Sequence, residues 1–402
     1  MKARLLDKVA KPWQGLQYAA LLLLTTLGLP ACSSSSNKST SPEDKLETSS
    51  LLFVAGSYGS AEDDAVRLYS FDEGTGRVKH LSSLRGIANP SYVAPSVDGS
   101  LLLAVSESDS PNDALYTIRL DSATHEMSII DSIHTEGAAP CHITQSIDGK
   151  HLISANYSGG SITSASLNPQ GSIERSTKQV LRFAGKGHHP ERQQSAHAHY
   201  VTFAPDSTVW VSDLGLDSIH VLRLMKPQAT DKSQILLEGT GIKTPKGYGP
   251  RHIAFTPDQS WAYVMCELSG AIVGLRQSAK GWQAFTEVQA DSLRSGGSAD
   301  IHVSPDARYL YSSHRLQGDG IAIHRIEDDG TLVRVGYQRT GKHPRNFALS
   351  PSGNYLLVAC RDSNAIEVYK RDEVSGLLRA VGSPIVFPKA TSVRFIKSRD
   401  YR

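Results

Sequence analysis

From residue 50 onward the apolar positions fall in short alternating or continuous runs, broken by clusters of Gly, Pro, Asp and Ser. No stretch carries the 3.6-residue period of an amphipathic helix, so the pattern predicts an all-β domain. The pattern also repeats. NPSYVAPSVDGSLLLAVSE starts at Asn89, PCHITQSIDGKHLISANYSGG at Pro140, AHYVTFAPDSTVWVSDLG at Ala198 and PRHIAFTPDQSWAYVMCELSG at Pro250. ADIHVSPDARYLYSSHRLQG follows at Ala299 and PRNFALSPSGNYLLVACRDS at Pro344. The turn markers Asp98, Asp148, Asp206, Asp258, Asp306 and Ser352 are separated by 50, 58, 52, 48 and 46 residues. A strand–turn–strand unit with a period near fifty reads as propeller blades of four strands each.

Residues 50–402 hold close to seven such periods, and the leftover pieces fit one another. LLFVAGSYG (51–59), AVRLYSF (65–71) and VKHLSSL (78–84) look like the last three strands of a blade lacking its first. TSVRFIK (391–397) looks like a first strand with nothing after it. Joining the two in one blade closes the ring and removes the exposed edges of an open sheet. The expectation is a seven-bladed β-propeller closed by N- and C-terminal strands.

Residues 1–32 stand apart. Lys2, Arg4, Lys8 and Lys11 precede the short apolar stretch YAALLLLTTLGLP, which is too short to span a bilayer. It ends in Leu29-Pro30-Ala31-Cys32 before a Ser-rich run, an order similar to a bacterial lipobox. The expected organisation is a lipoprotein signal peptide (1–32), a flexible tether (33–49) and a propeller domain (50–402). Cys32 would carry lipid, anchoring an exported protein to a membrane at the periplasmic side or cell surface. Ser33 after it leans toward the outer membrane of a source that has one. Cys266 and Cys360 sit in apolar strand patterns and read as buried thiols.

Of the 402 residues, 42 are Lys or Arg and 40 are Asp or Glu, a net charge of +2. That balance argues against a nucleic-acid partner, which calls for a dominant basic face. The repeat itself locates a site. Residues equidistant from each Asp turn should lie side by side at the far end of the hairpin. Arg251 then meets Glu267, His199 meets Asp213, Arg345 meets Arg361, Cys141 meets Asn156 and Asp300 meets Arg315, all at one mouth of the channel. Arginines there outnumber Glu267 and Glu107, which predicts an anionic ligand, carboxylate or phosphate. His197 and His199 alternate on a strand, yet no third and fourth metal ligand with suitable spacing accompanies them. Cys141 and His142 are adjacent, so they face opposite sides of a strand and cannot pair directly. NYSGG (156–160) lacks the spacing and following helix of a phosphate loop.

ANYSGGS (155–161), ERQQSAHAHYVTFAPD (191–206), GPRHIAFTPD with CEL (249–268), LYSSHR (310–315) and HPRNFALSPSGNYLLVA (343–359) resemble the lactonase seven-bladed propeller family. That family includes the propeller type of 6-phosphogluconolactonase and the fungal carboxy-cis,cis-muconate cyclases. His314 stands where the family often has Asn, and Ser195 where it usually has Pro. The resemblance implies hydrolysis of a sugar-derived anionic lactone, with no cofactor or metal. Glu267, Arg251, Arg315, His197 and His199 form the expected catalytic set, Glu267 or a rim histidine taking the proton of the attacking water. Arg345, His142, Asn156, Glu107 and Asp213 are the expected substrate-binding residues. Two other readings stay open: cyclisation of a muconate-like diacid, and a surface-tethered propeller that binds a ligand or protein without catalysis.

Overall fold

The computed structural model describes residues 50–396, apart from 111, 225–235, 239–240 and 280. The expected signal peptide and tether lie outside the described residues. Seven antiparallel sheets follow one another in sequence, each with its strands in order from the innermost outward. Six are built from consecutive strands, and the seventh joins the termini. There Ser50–Ser57 pairs with Val66–Asp72 on one side and with Ala390–Ile396 on the other, which confirms the expected closure.

Local chemistry makes the hairpins. In the fifth repeat unit, Asp306 accepts from the Arg308 N–H, and the Ser304 hydroxyl donates to the same carboxylate. The same arrangement recurs at Ser96/Asp98 and Ser146/Asp148. The residue after each marker is left-handed: φ is 73° at Gly99 and at Gly149, where glycine relieves the strain. Between blades lie seven apolar clusters, such as Phe53, Tyr69, Tyr355, Leu357 and Val393 at the closure. Burial between neighbouring blades, rather than within a blade, is what makes the ring one cooperative unit.

Two positions in the blades decide what faces the channel mouth. In five blades the first strand carries a bulge that leaves one residue without a ladder partner. Pro250 pairs with Cys266 and His252 with Met265, which leaves Arg251 out of register. Cys141, His199, Arg345 and Thr391 occupy the same skipped place in their blades. The second position lies just past the second strand. At Tyr58, Glu107, Tyr157, Leu214, Glu267 and Arg361 the backbone N–H donates to a carbonyl just ahead of the first strand, at 2.8–3.2 Å. At Glu107, Tyr157 and Glu267 the side chain then reaches the central cavity.

Candidate active site

Four bulge residues and four post-strand residues line one cavity of about 150 Å³: Cys141, His199, Arg251 and Arg345 with Glu107, Tyr157, Glu267 and Arg315. Arg192, from the segment between the second and third repeat units, completes the lining. A larger groove of about 620 Å³ opens beside it. Its Glu62, Asp63 and Asp64 are matched by Arg67, Arg85 and Lys389, so it carries no excess charge.

Glu267 is the hub. Its Oε2 accepts from Arg251 Nε at 2.8 Å and faces Arg315 Nη2 at 3.3 Å, and its Oε1 accepts from Arg192 Nη2 at 2.7 Å. Burial alone would push the carboxyl up, but the guanidiniums of Arg315, Arg251 and Arg192 overcome it and hold the group at about 2. Arg251 also donates from Nη1 to the Ala299 carbonyl at 2.8 Å and toward His252 Nε2 at 3.1 Å. Arg315 donates from Nε to the Gly297 carbonyl at 2.7 Å and from Nη1 toward His343 Nε2 at 3.2 Å. Burial, only partly offset by Glu267, lowers Arg315 to about 9.

Across the cavity Glu107 is the second carboxylate. It accepts from Tyr58 Oη at 2.9 Å and from the Ser91 hydroxyl, and it lies 3.3 Å from Arg345 Nη2. Arg345 also stacks over the Tyr58 ring at 5.3 Å. His199 is buried and its imidazole is pushed well below its ordinary value, first by desolvation and then by Arg251 and His252. Its Nδ1 lies 3.7 Å from Cys141 Sγ, while its Nε2 is unengaged among the described residues. Burial pushes the Cys141 thiol up, so it stays protonated. Cys141 thus meets a histidine of the next blade rather than its sequence neighbour.

The other expected residues lie elsewhere. His142 sits in the channel between the rings of Tyr92 and Tyr200, each 4.2 Å away. Asn156 is fully buried within its blade, donating to Ser161 Oγ and Thr163 Oγ1. Asp213 accepts from the His197 N–H at 2.8 Å and contacts His220 at 3.0 Å, so it fastens a turn instead of meeting His199. His197 stacks on Tyr157 at 4.6 Å and does not line the cavity. Asp300 contacts His252 and His302, and Arg361 pairs with Asp362 outside the cavity. Sequence reasoning passed over Tyr157 and Arg192. Tyr157 occupies the same blade position as Glu267 and was findable by that phase; Arg192 lies outside the repeat.

The family profile described as "Lactonase, 7-bladed beta-propeller" matches residues 52–395. A 6-phosphogluconolactonase of Formosa agariphila is 30% identical over 85% of this chain and 98% of its own. A candidate 6-phosphogluconolactonase structure from Bacteroides fragilis is 37% identical, with a TM-score of 0.83 over 89% of this chain and all of that one. The periplasmic gluconolactonase of Pseudomonas aeruginosa is 27% identical, with a TM-score of 0.79 over 87% of this chain and 99% of its own. Blade count, closure and profile agree: the chain belongs to the lactonase family of seven-bladed β-propellers.

Proposed function

We propose that the protein hydrolyses a sugar-derived, anionic lactone in the cavity around Glu267. The observation that carries this reading is the charge of the lining. Four guanidiniums face two carboxylates, while His199, Cys141 and Tyr157 are held neutral by burial, so two positive charges are in excess. The names of the Formosa and Pseudomonas relatives support lactone opening as the reaction. Neither the cyclisation of a diacid nor binding without catalysis has comparable support.

His199 serves as the base, because it lines the cavity, is neutral at physiological pH, and its Nε2 is unengaged among the described residues. Both groups are held below their ordinary values, but both Glu267 oxygens are already taken by arginines, so Glu267 fixes the arginines while His199 keeps an open nitrogen. Water attacks the lactone carbonyl and passes one proton to His199 Nε2. The tetrahedral oxyanion forms against Arg251 and Arg315. As it collapses, the ring C–O bond breaks and the leaving alkoxide takes that proton, yielding the open hydroxy acid. Product release restores neutral His199.

The test is turnover of the purified protein on a panel of phosphorylated and unphosphorylated sugar lactones. His199→Ala should cost roughly 10²–10⁴-fold in kcat while the fold persists. Opening of no lactone by the wild-type protein would remove the reading. Loss of turnover in Glu267→Gln at unchanged melting temperature, with His199→Ala active, would transfer the role of base to Glu267.

The location outside the cytoplasm rests on Leu29-Pro30-Ala31-Cys32 and the Ser-rich tether: signal 1–32, tether 33–49, catalytic propeller 50–402, anchored through lipidated Cys32. Replacing Cys32 by Ser should move the protein from the membrane to the soluble fraction. A wild-type protein that does not partition into detergent would refute the anchor.

A further inference from the structure

Of the four cavity arginines, Arg192 is the one not carried by a blade. It belongs to the segment between the strands Ile173–Arg182 and Ala198–Phe203. Its side chain is 37% exposed, against 2% for Arg251, 7% for Arg315 and 14% for Arg345. The enclosed pair is largely committed. All three nitrogens of Arg315 and two of Arg251 have protein partners. Arg192 uses only Nη2, on Glu267 Oε1 and Tyr157 Oη, and its Nε and Nη1 are unengaged among the described residues.

The segment is nevertheless held in place. Gln193 is buried, and its amide donates to the Leu214 carbonyl at 2.8 Å and to Asp217 Oδ1 at 2.7 Å. Its Oε1 accepts from the His188 and His189 N–H groups at 2.9 and 2.8 Å. The Arg192 N–H in turn donates to His189 Nδ1 at 3.2 Å. A buried pin at 193 therefore presents the exposed guanidinium at 192 from a fixed backbone, which lowers the entropy cost of using it.

We propose that Arg192 determines the charge specificity of the cavity: its free edge receives an anionic arm, phosphate or carboxylate, borne by the lactone away from the ring carbonyl. The proposal rests on the lactonase reading and adds to it the residue that selects the substrate. The geometry gives a division of labour. The enclosed Arg251–Arg315 pair faces the carbonyl, and the exposed Arg192 holds the remote anion at the mouth. Because Arg192 also shares Glu267, an anion placed on it neutralises charge that now holds Glu267 and the paired arginines in place. Arg345 is the main competitor with donors to spare, but it is enclosed and already faces Glu107.

The experiment is calorimetric titration of the wild-type protein and of Arg192→Ala, Arg192→Lys and Arg345→Ala with gluconate, 6-phosphogluconate and glucarate. KM and kcat on the corresponding lactones run in parallel. The wild-type protein should prefer at least one ligand with a second anionic group over gluconate; 6-phosphogluconate or glucarate identifies the arm as phosphate or carboxylate. Arg192→Ala should weaken that ligand tenfold or more, leave gluconate within about threefold, and raise KM for the charged lactone with little change in kcat. Arg192→Lys should recover part of the loss, since a point charge replaces the guanidinium edge. Equal losses for all three ligands would overturn the proposal, as would no preference in the wild-type protein or a loss confined to Arg345→Ala. Failure of hydrolysis with the selective binding loss intact would instead refute the lactonase reading and leave Arg192 as the selector.

Discussion

His252 follows Arg251 in sequence but faces the interior of the channel, where it lies 2.7 Å from Asp300 Oδ1 through Nδ1. Burial opposes ionisation of Asp300, yet His302, His252 and the hydrogen bonds they make hold its carboxyl well below the usual range. An ionised carboxylate only accepts, so Nδ1 of His252 must carry the proton. The ring itself is neutral, since burial and then Arg251 lower it to about 3. Its Nε2 is therefore an acceptor, and Arg251 Nη1 donates to it at 3.1 Å. The carboxylate thus sets a tautomer, and the tautomer sets the orientation of a guanidinium in the cavity. His252 is a positioning residue. Replacing it by Phe should lower kcat by up to about 10²-fold with KM nearly unchanged, the scale expected for a displaced reacting group. His252→Gln keeps an acceptor and should restore much of that loss. A fall in melting temperature with intact turnover per folded molecule, in both variants, would leave His252 a purely structural role.

At the scale of the element, the blade hairpin was legible because its turn chemistry recurs at nearly constant spacing. The same regularity located Arg251, Glu267, Arg315 and Arg345 at one mouth. The first-strand bulge, by contrast, has no mark in the sequence. It puts one extra residue into the first strand, so Asn156 and Asp213 pair with Pro140 and Ala198. The strand-end residues Asn156, Asp213, Cys266, His314 and Cys360 then all turn into the blade and are fully buried. Their successors reach the cavity at Tyr157, Glu267 and Arg315. Counting from the turn was thus right where it selected 267 and 315, and one residue short where it selected 156 and 213. Arg192 was illegible for another reason. It lies on a connecting segment with no period, and only the buried Gln193 shows that the segment has a fixed place. The closing strand, which the sequence did reveal, also reaches the channel network. Asn346 accepts from the Val393 N–H at 2.9 Å and donates to Asp300, and Arg394 donates from Nε to Tyr92 Oη at 2.8 Å.

Across the whole molecule, the same packing that makes the blades one unit leaves six histidines buried: His142, His199, His252, His314, His324 and His343. Each is held below its ordinary value, with desolvation the largest cause. His252, His314 and His343 lie at about 3 and His324 at about 4. In the unfolded chain each returns to about 6.5. The native state therefore binds fewer protons than the unfolded state, and stability must rise with pH through this window. Above about pH 6.5 both states are neutral at these positions and the full stability is present. Below it the unfolded histidines take up protons that the folded ones refuse. Each contributes a loss of about 1.4 kcal/mol per pH unit until its folded value is reached. At pH 5.5 these groups together remove a substantial part of the stability of an ordinary domain. Glu267 adds its own loss at lower pH, since its stabilising contribution disappears as pH falls from 4.5 toward about 2. The protein should therefore lose stability in mild acid, before its carboxylates are titrated. Urea unfolding at pH 7.5, 6.5 and 5.5 measures this directly: the midpoint should fall modestly over the first step and steeply over the second. A midpoint that stays level down to pH 5 would mean that the buried imidazoles take up protons within the fold as readily as in the unfolded chain, and that burial does not hold them neutral.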